Sequence, residues 1–307
     1  MEKKNNILQN SFVVAILASI CCALWGSAAP TIKIGYELML PSQNTASTML
    51  FAGMRFFLAG VLTILGYSLI CKRFVYPKKE NVKRVFTISM FQTVIQYILF
   101  YVGLVYTSGV KTTVLSGSNA FFSLLVACFI FRQEKFTLKK IIACIIGFLG
   151  IVVINFNGLD FSMTFMGEGF ILLSTVAYAV SSVLIKRFSK YEDTVILSGY
   201  QFALGGMIMM LIGKLFGGTI CIENTKSVLI LLYLAFLSAM AYGLWGILLK
   251  HNPVTKITIY SCTIPVFGVI LSMLLLSEDS NVSPLNLLIT LVMICSGIIL
   301  LNYQKKS

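Results

Sequence analysis

Charge is scarce in this chain. Asp, Glu, Lys and Arg supply 11% of its 307 residues, where soluble domains carry about 25%. Apolar residues supply 58%, more than a soluble fold can hide, so lipid must cover much of the surface. The shortage excludes an ordinary soluble enzyme or a soluble nucleic-acid-binding domain. Acid is scarcer still, with 11 Asp and Glu against 24 Lys and Arg. No acid falls in the middle of an apolar run, and the one histidine is His251. Intramembrane carboxylates are the usual proton relays, so proton-coupled efflux of cationic drugs is disfavoured. Enzyme motifs are missing too: there is no HExxH, no P-loop and no GxSxG in a usable setting. A membrane-embedded transferase would lack an acid–base group at depth. The eight cysteines show no CxxC and no metal spacing, and read as small hydrophobic filler. No metal or cofactor is expected.

What is present is a series of ten apolar segments, near 12–33, 46–70, 85–106, 111–131, 140–156, 168–188, 194–213, 228–249, 256–276 and 285–302. In lipid the backbone must satisfy its hydrogen bonds within each segment, so each reads as a transmembrane helix. The predicted fold is all-α and polytopic, and too little chain is left for a separate domain.

The basic residues sort by side. With a cytoplasmic N-terminus, the inner segments hold Lys3, Lys4, Lys72, Arg73, Lys78, Lys79, Lys83, Arg84, Arg132, Lys135, Lys139, Lys140, Lys186, Arg187, Lys190, Lys250, Lys256, Lys305 and Lys306. The outer loops hold only Lys111, Lys214 and Lys226, against Glu37, Asp160, Glu168, Glu223, Glu278 and Asp279. The positive-inside rule then predicts a multi-pass protein of the cytoplasmic membrane with both termini in the cytoplasm. The net charge of +13 is topological rather than a polyanion site. The expected partners are the bilayer and a small-molecule substrate, not nucleic acid, in a monomer or a homodimer.

The chain also repeats itself. Gly53 to Gly60, with Arg55 and Phe56, matches Gly199 to Gly206, with Gln201 and Phe202. Gly150 to Asn155 matches Gly297 to Asn302, and Glu134 aligns with Glu278 at nearly the same offset. This predicts two units, 1–156 and 157–307, of five helices each. An odd number of spans forces the second unit to lie inverted, which sets a pseudo-twofold axis in the membrane plane. A binding site is expected where the two units meet, near the midplane.

Trp25-Gly26-Ser27 followed by Pro30 and Lys33, the Arg55-Phe56 pair, and Thr263 to Phe267 with Pro265 and a later Glu278 resemble the drug/metabolite transporter superfamily. Within it, the chain is similar over essentially its whole length to the ten-helix EamA-type carriers. The resemblance implies a central cavity lined mainly by spans 1, 3, 4, 6, 8 and 9, and transport of amino acids or other small metabolites. Two departures show that the halves have diverged: Phe121 stands where the second half has Pro265, and Tyr178 where the first has Trp25. The small multidrug-resistance relatives use an acid in the first helix, and here that region has Ser19, Cys22 and Trp25.

The candidate site follows from polar and aromatic positions at helical spacing. Gln92 and Gln96, with Tyr97 and Tyr101, form i, i+4 pairs in span 3, and Ser116, Asn119 and Ser123 share a face of span 4. These faces serve either as a polar cavity wall or as interhelical glue. Trp25, Tyr178, Tyr242 and Trp245 add aromatic walls, and Thr263 adds a hydroxyl. Gly26 with Pro30 predicts a kink in span 1, and Pro265 one in span 9. Arg55, well inside span 2, either orients a substrate carboxylate or bonds exposed carbonyls at helix ends. Inverted symmetry suggests two ion-pair gates, Lys33 with Glu278 outside and Lys186 with Glu134 inside, against ordinary snorkelling as the alternative. The reading favoured is carriage of an amino acid or related zwitterion by alternating access, with export as the direction. Multidrug or cation efflux, nucleotide-sugar or phosphate-type carriage on the same fold, and a membrane scaffold or membrane-embedded transferase, are the alternatives.

Overall fold

The computed structural model describes residues 7–42, 44–107, 109–156, 163–276 and 284–302, and all regular structure among them is helical. Ten helical spans follow in order: α1 Ser11–Met39, α2 Thr45–Ile70, α3 Lys79–Tyr106, α4 Lys111–Ile130, α5 Leu138–Ile154, α6 Phe165–Phe188, α7 Thr194–Leu215, α8 Thr225–His251, α9 Val254–Leu271 and α10 Pro284–Asn302. Side-chain oxygens close several N-termini, as isolated helix ends require. Asn10 accepts from the Phe12 N–H, Asn44 from Ser47, Asp193 from Val195 and Asn224 from Ser227.

Glycine decides how the helices meet. A Cβ on Gly206 would lie 2.3 Å from the Phe57 nitrogen and 2.7 Å from the Gly53 oxygen. One on Gly60 would lie 2.3 Å from the Ala203 nitrogen and 2.6 Å from the Gly199 oxygen. Backbone touches backbone along this antiparallel α2–α7 crossing, the close approach that small residues permit in membranes. In the repeat Gly53 corresponds to Gly199 and Gly60 to Gly206, so each contact is the image of the other. The α5–α10 pair repeats the pattern. Gly150 backs onto the Thr290 carbonyl, and Gly297 onto that of Ala143.

Reciprocity extends to the helix partners. α1 packs on α8 and α9, and α6 packs on α3 and α4; α2 packs on α8, and α7 on α3. Residues that correspond in the repeat meet at the centre, where the Phe56 and Phe202 rings stack 5.3 Å apart at 5°. The Tyr97 and Tyr242 hydroxyls lie 2.8 Å apart. Arg55 Nε donates to Ser238 Oγ at 3.0 Å, and at the corresponding place Thr93 Oγ1 donates to Gln201 Oε1 at 2.8 Å. A twofold axis passing between the paired rings relates these contacts to one another.

The two helices expected to kink at proline differ in their hydrogen bonding. α1 runs unbroken through Pro30, although proline leaves the Gly26 carbonyl without its helical donor. Gly26 instead lets α9 approach, since a Cβ there would lie 2.6 Å from Phe267 Cβ and 2.9 Å from the Gly268 nitrogen. In α9 the helix tightens to a 3-10 turn over Ile259–Thr263 before a new α-helix starts at Ile264. Pro265 thus occupies the first turn, where its missing N–H costs nothing. α4 is interrupted at the corresponding depth, between Gly109–Ser116 and Asn119–Leu125, without any proline.

Candidate functional site

An aromatic box lies beside the axis. The Trp25 ring of α1 meets Tyr242 at 5.0 Å and Trp245 at 4.9 Å, both edge-on at 67°. Edge-to-face pairs at this separation are favourable. Tyr242 also meets Phe202 at 4.8 Å, and Tyr97 meets Phe56 at 4.6 Å. The hydroxyl contact between Tyr97 and Tyr242 joins α3 to α8 across the axis. Two indole donors, Trp25 Nε1 and Trp245 Nε1, are buried here and bond to no protein acceptor.

Buried acceptors stand on α3 and α4. Gln92 Oε1, Gln96 Oε1 and Asn119 Oδ1 have no protein donor, and neither does the Ser123 hydroxyl. Most buried polar atoms in native proteins are hydrogen-bonded, which makes these faces of α3 and α4 the candidate polar wall of a site. Local irregularity positions them. An i→i+5 turn over Met90–Ile95 shifts the register of α3 through Gln92 and just before Gln96, a feature that often marks functional sites. The break after Ser116 sets Asn119 at the start of the second half of α4.

Other expected residues are placed differently. Tyr101 is buried near Tyr36 and Arg55 rather than beside the indoles. Tyr178, by contrast, is buried in α6 with its hydroxyl toward those of Tyr97 and Tyr242 beside the aromatic box, while its carbonyl accepts the Ser181 and Ser182 hydroxyls at 2.8 and 3.0 Å. Thr263 Oγ1 donates to the Tyr260 carbonyl at 2.8 Å, so its hydroxyl is used within the α9 turn. Arg55 does not bond carbonyls at helix ends. It is 3% exposed, bonds Ser238 and lies 4.8 Å from the centre of the Phe56 ring. Its charge reaches the hydroxyls of Tyr36, Tyr101 and Tyr242. Phe56, Phe202, Thr93 and Ser238 were not singled out from the sequence as site residues. Extending the repeat's offset through spans 3 and 8 pairs Thr93 with Ser238 and Tyr97 with Tyr242, the signal that could have found them.

The EamA-like transporter family matches the chain twice, over residues 12–156 and 165–303. The chain belongs to this family. Among curated relatives, the uncharacterized transporter YvbV of Bacillus subtilis is 23% identical over 303 residues, covering 95% of this chain and 92% of that protein. A probable amino-acid metabolite efflux pump of Salmonella typhimurium is 26% identical, covering 85% of this chain and 86% of the pump. A solved crystal structure shares the fold with a TM-score of 0.77 at 17% identity, covering 94% of this chain and 96% of that one. The protein is thus a multi-pass membrane transporter, and its ten helices fit that assignment.

In this EamA-like transporter the ends of the helices are tied by networks that differ from the expected gates. Glu134 does not pair with Lys186. Its carboxylate takes Lys140 Nζ at 2.7 Å, the Thr255 N–H at 3.2 Å and Thr255 Oγ1 at 2.9 Å. Lys140 is six residues away along the same chain segment and wins the carboxylate, while Lys186 bonds the Asn252 carbonyl. Glu278 lies outside the described residues; Lys33 stands on an exposed face of α1. At the opposite end, Lys111 and Glu168 belong to buried structure rather than to open loops. Their ion pair is 3.2 Å long, with side chains 11% and 4% exposed. Glu168 also accepts from Thr107 Oγ1 at 2.6 Å and the Thr164 N–H at 2.7 Å, tying α3, α4 and α6 together.

The loop carboxylates carry a pH signature. Burial opposes ionisation of Glu134, but Lys140 and Thr255 outweigh it and hold its pKa below the ordinary value. Burial likewise opposes ionisation of Glu192, which is outweighed by Asn81 at 2.8 Å and the Lys78 N–H at 2.9 Å. Groups depressed on folding stabilise above their unfolded pKa, about 4.3 for Glu, and lose that contribution as pH falls through the folded value. Thermal unfolding in detergent should therefore be flat in this respect from neutral pH to about pH 5, then fall with acid. Glu134→Gln should flatten that acid limb. An unchanged limb in both Glu134→Gln and Glu192→Gln would show that neither carboxylate matters.

Proposed function

We propose that this protein carries a small zwitterion of the amino-acid class across the cytoplasmic membrane by alternating access, with export as the direction. The observation that carries the reading is the division of unpartnered buried atoms. Indole donors on α1 and α8 suit a carboxylate, and amide oxygens on α3 and α4 suit an ammonium group. Arg55 adds a positive field at the edge of the aromatic box, which favours a carboxylate and disfavours a cationic drug. Among the described residues no acid pairs with it. Two units, 1–156 and 157–307, exchange conformations about the axis between Tyr97 and Tyr242. The Lys111–Glu168 network ties the acidic end, toward which the contacts of α1 with the second half of α9 also lie. The basic loops and both termini lie in the cytoplasm, and the carrier works as a monomer or a homodimer without a metal, cofactor or nucleic acid. The name of the amino-acid metabolite efflux pump among its relatives supports the substrate class.

The test is counterflow in proteoliposomes with neutral amino acids, nucleosides and cationic dyes, at two pH values. Exchange of an amino acid is expected, and the apparent affinity should fall about tenfold in Gln96→Ala or Asn119→Ala, the loss of about one buried hydrogen bond. Dye uptake driven by a pH gradient would overturn the zwitterion reading, and so would unchanged affinity in both variants.

A further inference from the structure

The twofold relation sorts contacts into those that alternating access keeps and those that it exchanges. When two inverted units swap conformations, a contact whose image is also made survives, and one without its image is broken. Phe56 with Phe202 and Tyr97 with Tyr242 are their own images, and the glycine contacts of α2 with α7 image each other. These form the fixed part. Ties without an image among the described residues gather at the basic face, around the α8–α9 connection. We infer that this connection, residues 252–255, is a bolt held shut in the structure, which must leave α4 and α6 before the basic face can open. The inference rests on the alternating-access reading above.

Two helices hold the bolt. Thr255 gives its N–H at 3.2 Å and its hydroxyl at 2.9 Å to Glu134, at the end of α4. Lys186 of α6 bonds the Asn252 carbonyl. Beside Glu134, Gln133 Nε2 reaches the Val183 carbonyl at 3.4 Å, so α4 and α6 are also joined at this level. Asn252 is 2% exposed and Thr255 0%, and a hydrogen bond shielded from water is the most costly to leave unmade.

The acidic face is built differently. At the offset that pairs Tyr97 with Tyr242, Thr255 corresponds to Val110, which offers no hydroxyl. Lys186 follows Tyr178 as Lys33 follows Trp25, and Lys33 stands on an exposed face of α1. The first turns of α9 pack on α4 and α6, whereas the corresponding start of α4 packs on α5 and α6. The far halves of the two helices differ in the same sense. Val126, in the basic half of α4, is 3% exposed, and its equivalent Ile270, in the acidic half of α9, is 36% exposed. The Lys111–Glu168 tie does have a counterpart, weaker but in place, where Lys256 reaches Ser11 Oγ at 3.3 Å. What lacks an image is the grip of α4 and α6 on the α8–α9 connection.

The experiment is cysteine labelling of the full-length protein in membrane vesicles of both orientations, so that a membrane-impermeant maleimide reaches one face at a time. The reporter is Thr258→Cys, one turn beyond Thr255 on the same side of α9 and fully buried, with the protein lacking it as the blank. From the basic face its labelling rate should rise about tenfold in Thr255→Val/Lys186→Met, the equivalent of about one lost hydrogen bond. Thr255→Ser keeps the hydroxyl and should label like the parent. From the acidic face, Asn119→Cys should label no faster in the double variant, which separates the opening of one face from a loosened fold. An unchanged rate at Thr258→Cys, or an equal rise from both faces, would overturn the proposal. Labelling needs no substrate, so a failed counterflow assay strikes the substrate reading and leaves the bolt standing, and the reverse holds as well.

Discussion

Replacing Gly206 by leucine is expected to remove the folded protein, whereas Gly66→Ala in the same crossing pair of helices is expected to be tolerated. The contrast rests on what a side chain would meet. At Gly206 the obstructing atoms are the Phe57 nitrogen at 2.3 Å and the Gly53 oxygen at 2.7 Å. Backbone cannot rotate away as a side chain can, so α2 and α7 must separate. Ordinary overpacking costs about 1–3 kcal/mol, and prising two helices apart along their length should exceed about 4 kcal/mol. Around Gly66 nothing lies within 4 Å, and alanine gains up to about 1 kcal/mol of helix propensity. Size-exclusion profiles and thermal unfolding in detergent read both. A monodisperse Gly206→Leu variant of normal stability would mean that the α2–α7 approach is not tight. Gly60→Leu should behave like Gly206→Leu, because it is the same contact seen from the other half.

The second large effect is expected at Glu168. Removing one partner of a buried ion pair leaves the other charge uncompensated, at a cost of about 3–5 kcal/mol. Glu168→Gln leaves the Lys111 ammonium without its carboxylate, in a place where the two side chains are 11% and 4% exposed. Lys111→Met strands the carboxylate, although Thr107 and the Thr164 N–H still hold it, so part of the network should survive in that variant. Lys111→Met/Glu168→Gln should recover most of the loss, and a double-mutant cycle on unfolding temperature measures the coupling. Additive effects would show that the pair contributes nothing beyond its members. The same network ties α3, α4 and α6 at the acidic face, so Glu168→Gln should also raise the rate at which a membrane-impermeant thiol reagent labels a cysteine placed at Asn119. Protection unchanged from the parent would remove the Lys111–Glu168 network from the gating scheme.

Much of this was legible in the sequence because membrane spans announce themselves. An apolar run in lipid has only the helix open to it, so the spans and their approximate ends follow from composition. The internal match of Gly53–Gly60 with Gly199–Gly206 likewise showed that two halves share one design. Of the candidate site, Gln92, Gln96 and Asn119 were named from helical spacing and Trp25 and Trp245 as aromatic walls, and the structure leaves a polar atom of each buried without a protein partner. Charge partners were not legible. Glu134 could be matched to Lys186 by symmetry, but the nearer Lys140 takes it, since a six-residue loop closes more readily than two separate helices align. Lys111 and Glu168 looked like loop residues because they flank apolar runs, and only packing shows that the run ends are buried against each other. The break in α4 has no proline to mark it, and arises where Gly117 packs against Ile151, with a Cβ there only 2.3 Å from Ile151 Cδ1.

By itself the sequence determined the solvent, the helix count and the doubling of the unit, because each depends on composition or on the chain compared with itself. The tertiary structure decided which equivalent residues meet. Phe56 stacks on Phe202 and Tyr97 reaches Tyr242 because glycines on α2 and α7 let two backbones touch and bring the axis between those rings. It also decided which polar atoms are left over for a ligand, since a hydrogen bond is made or missed by distances of less than an ångström.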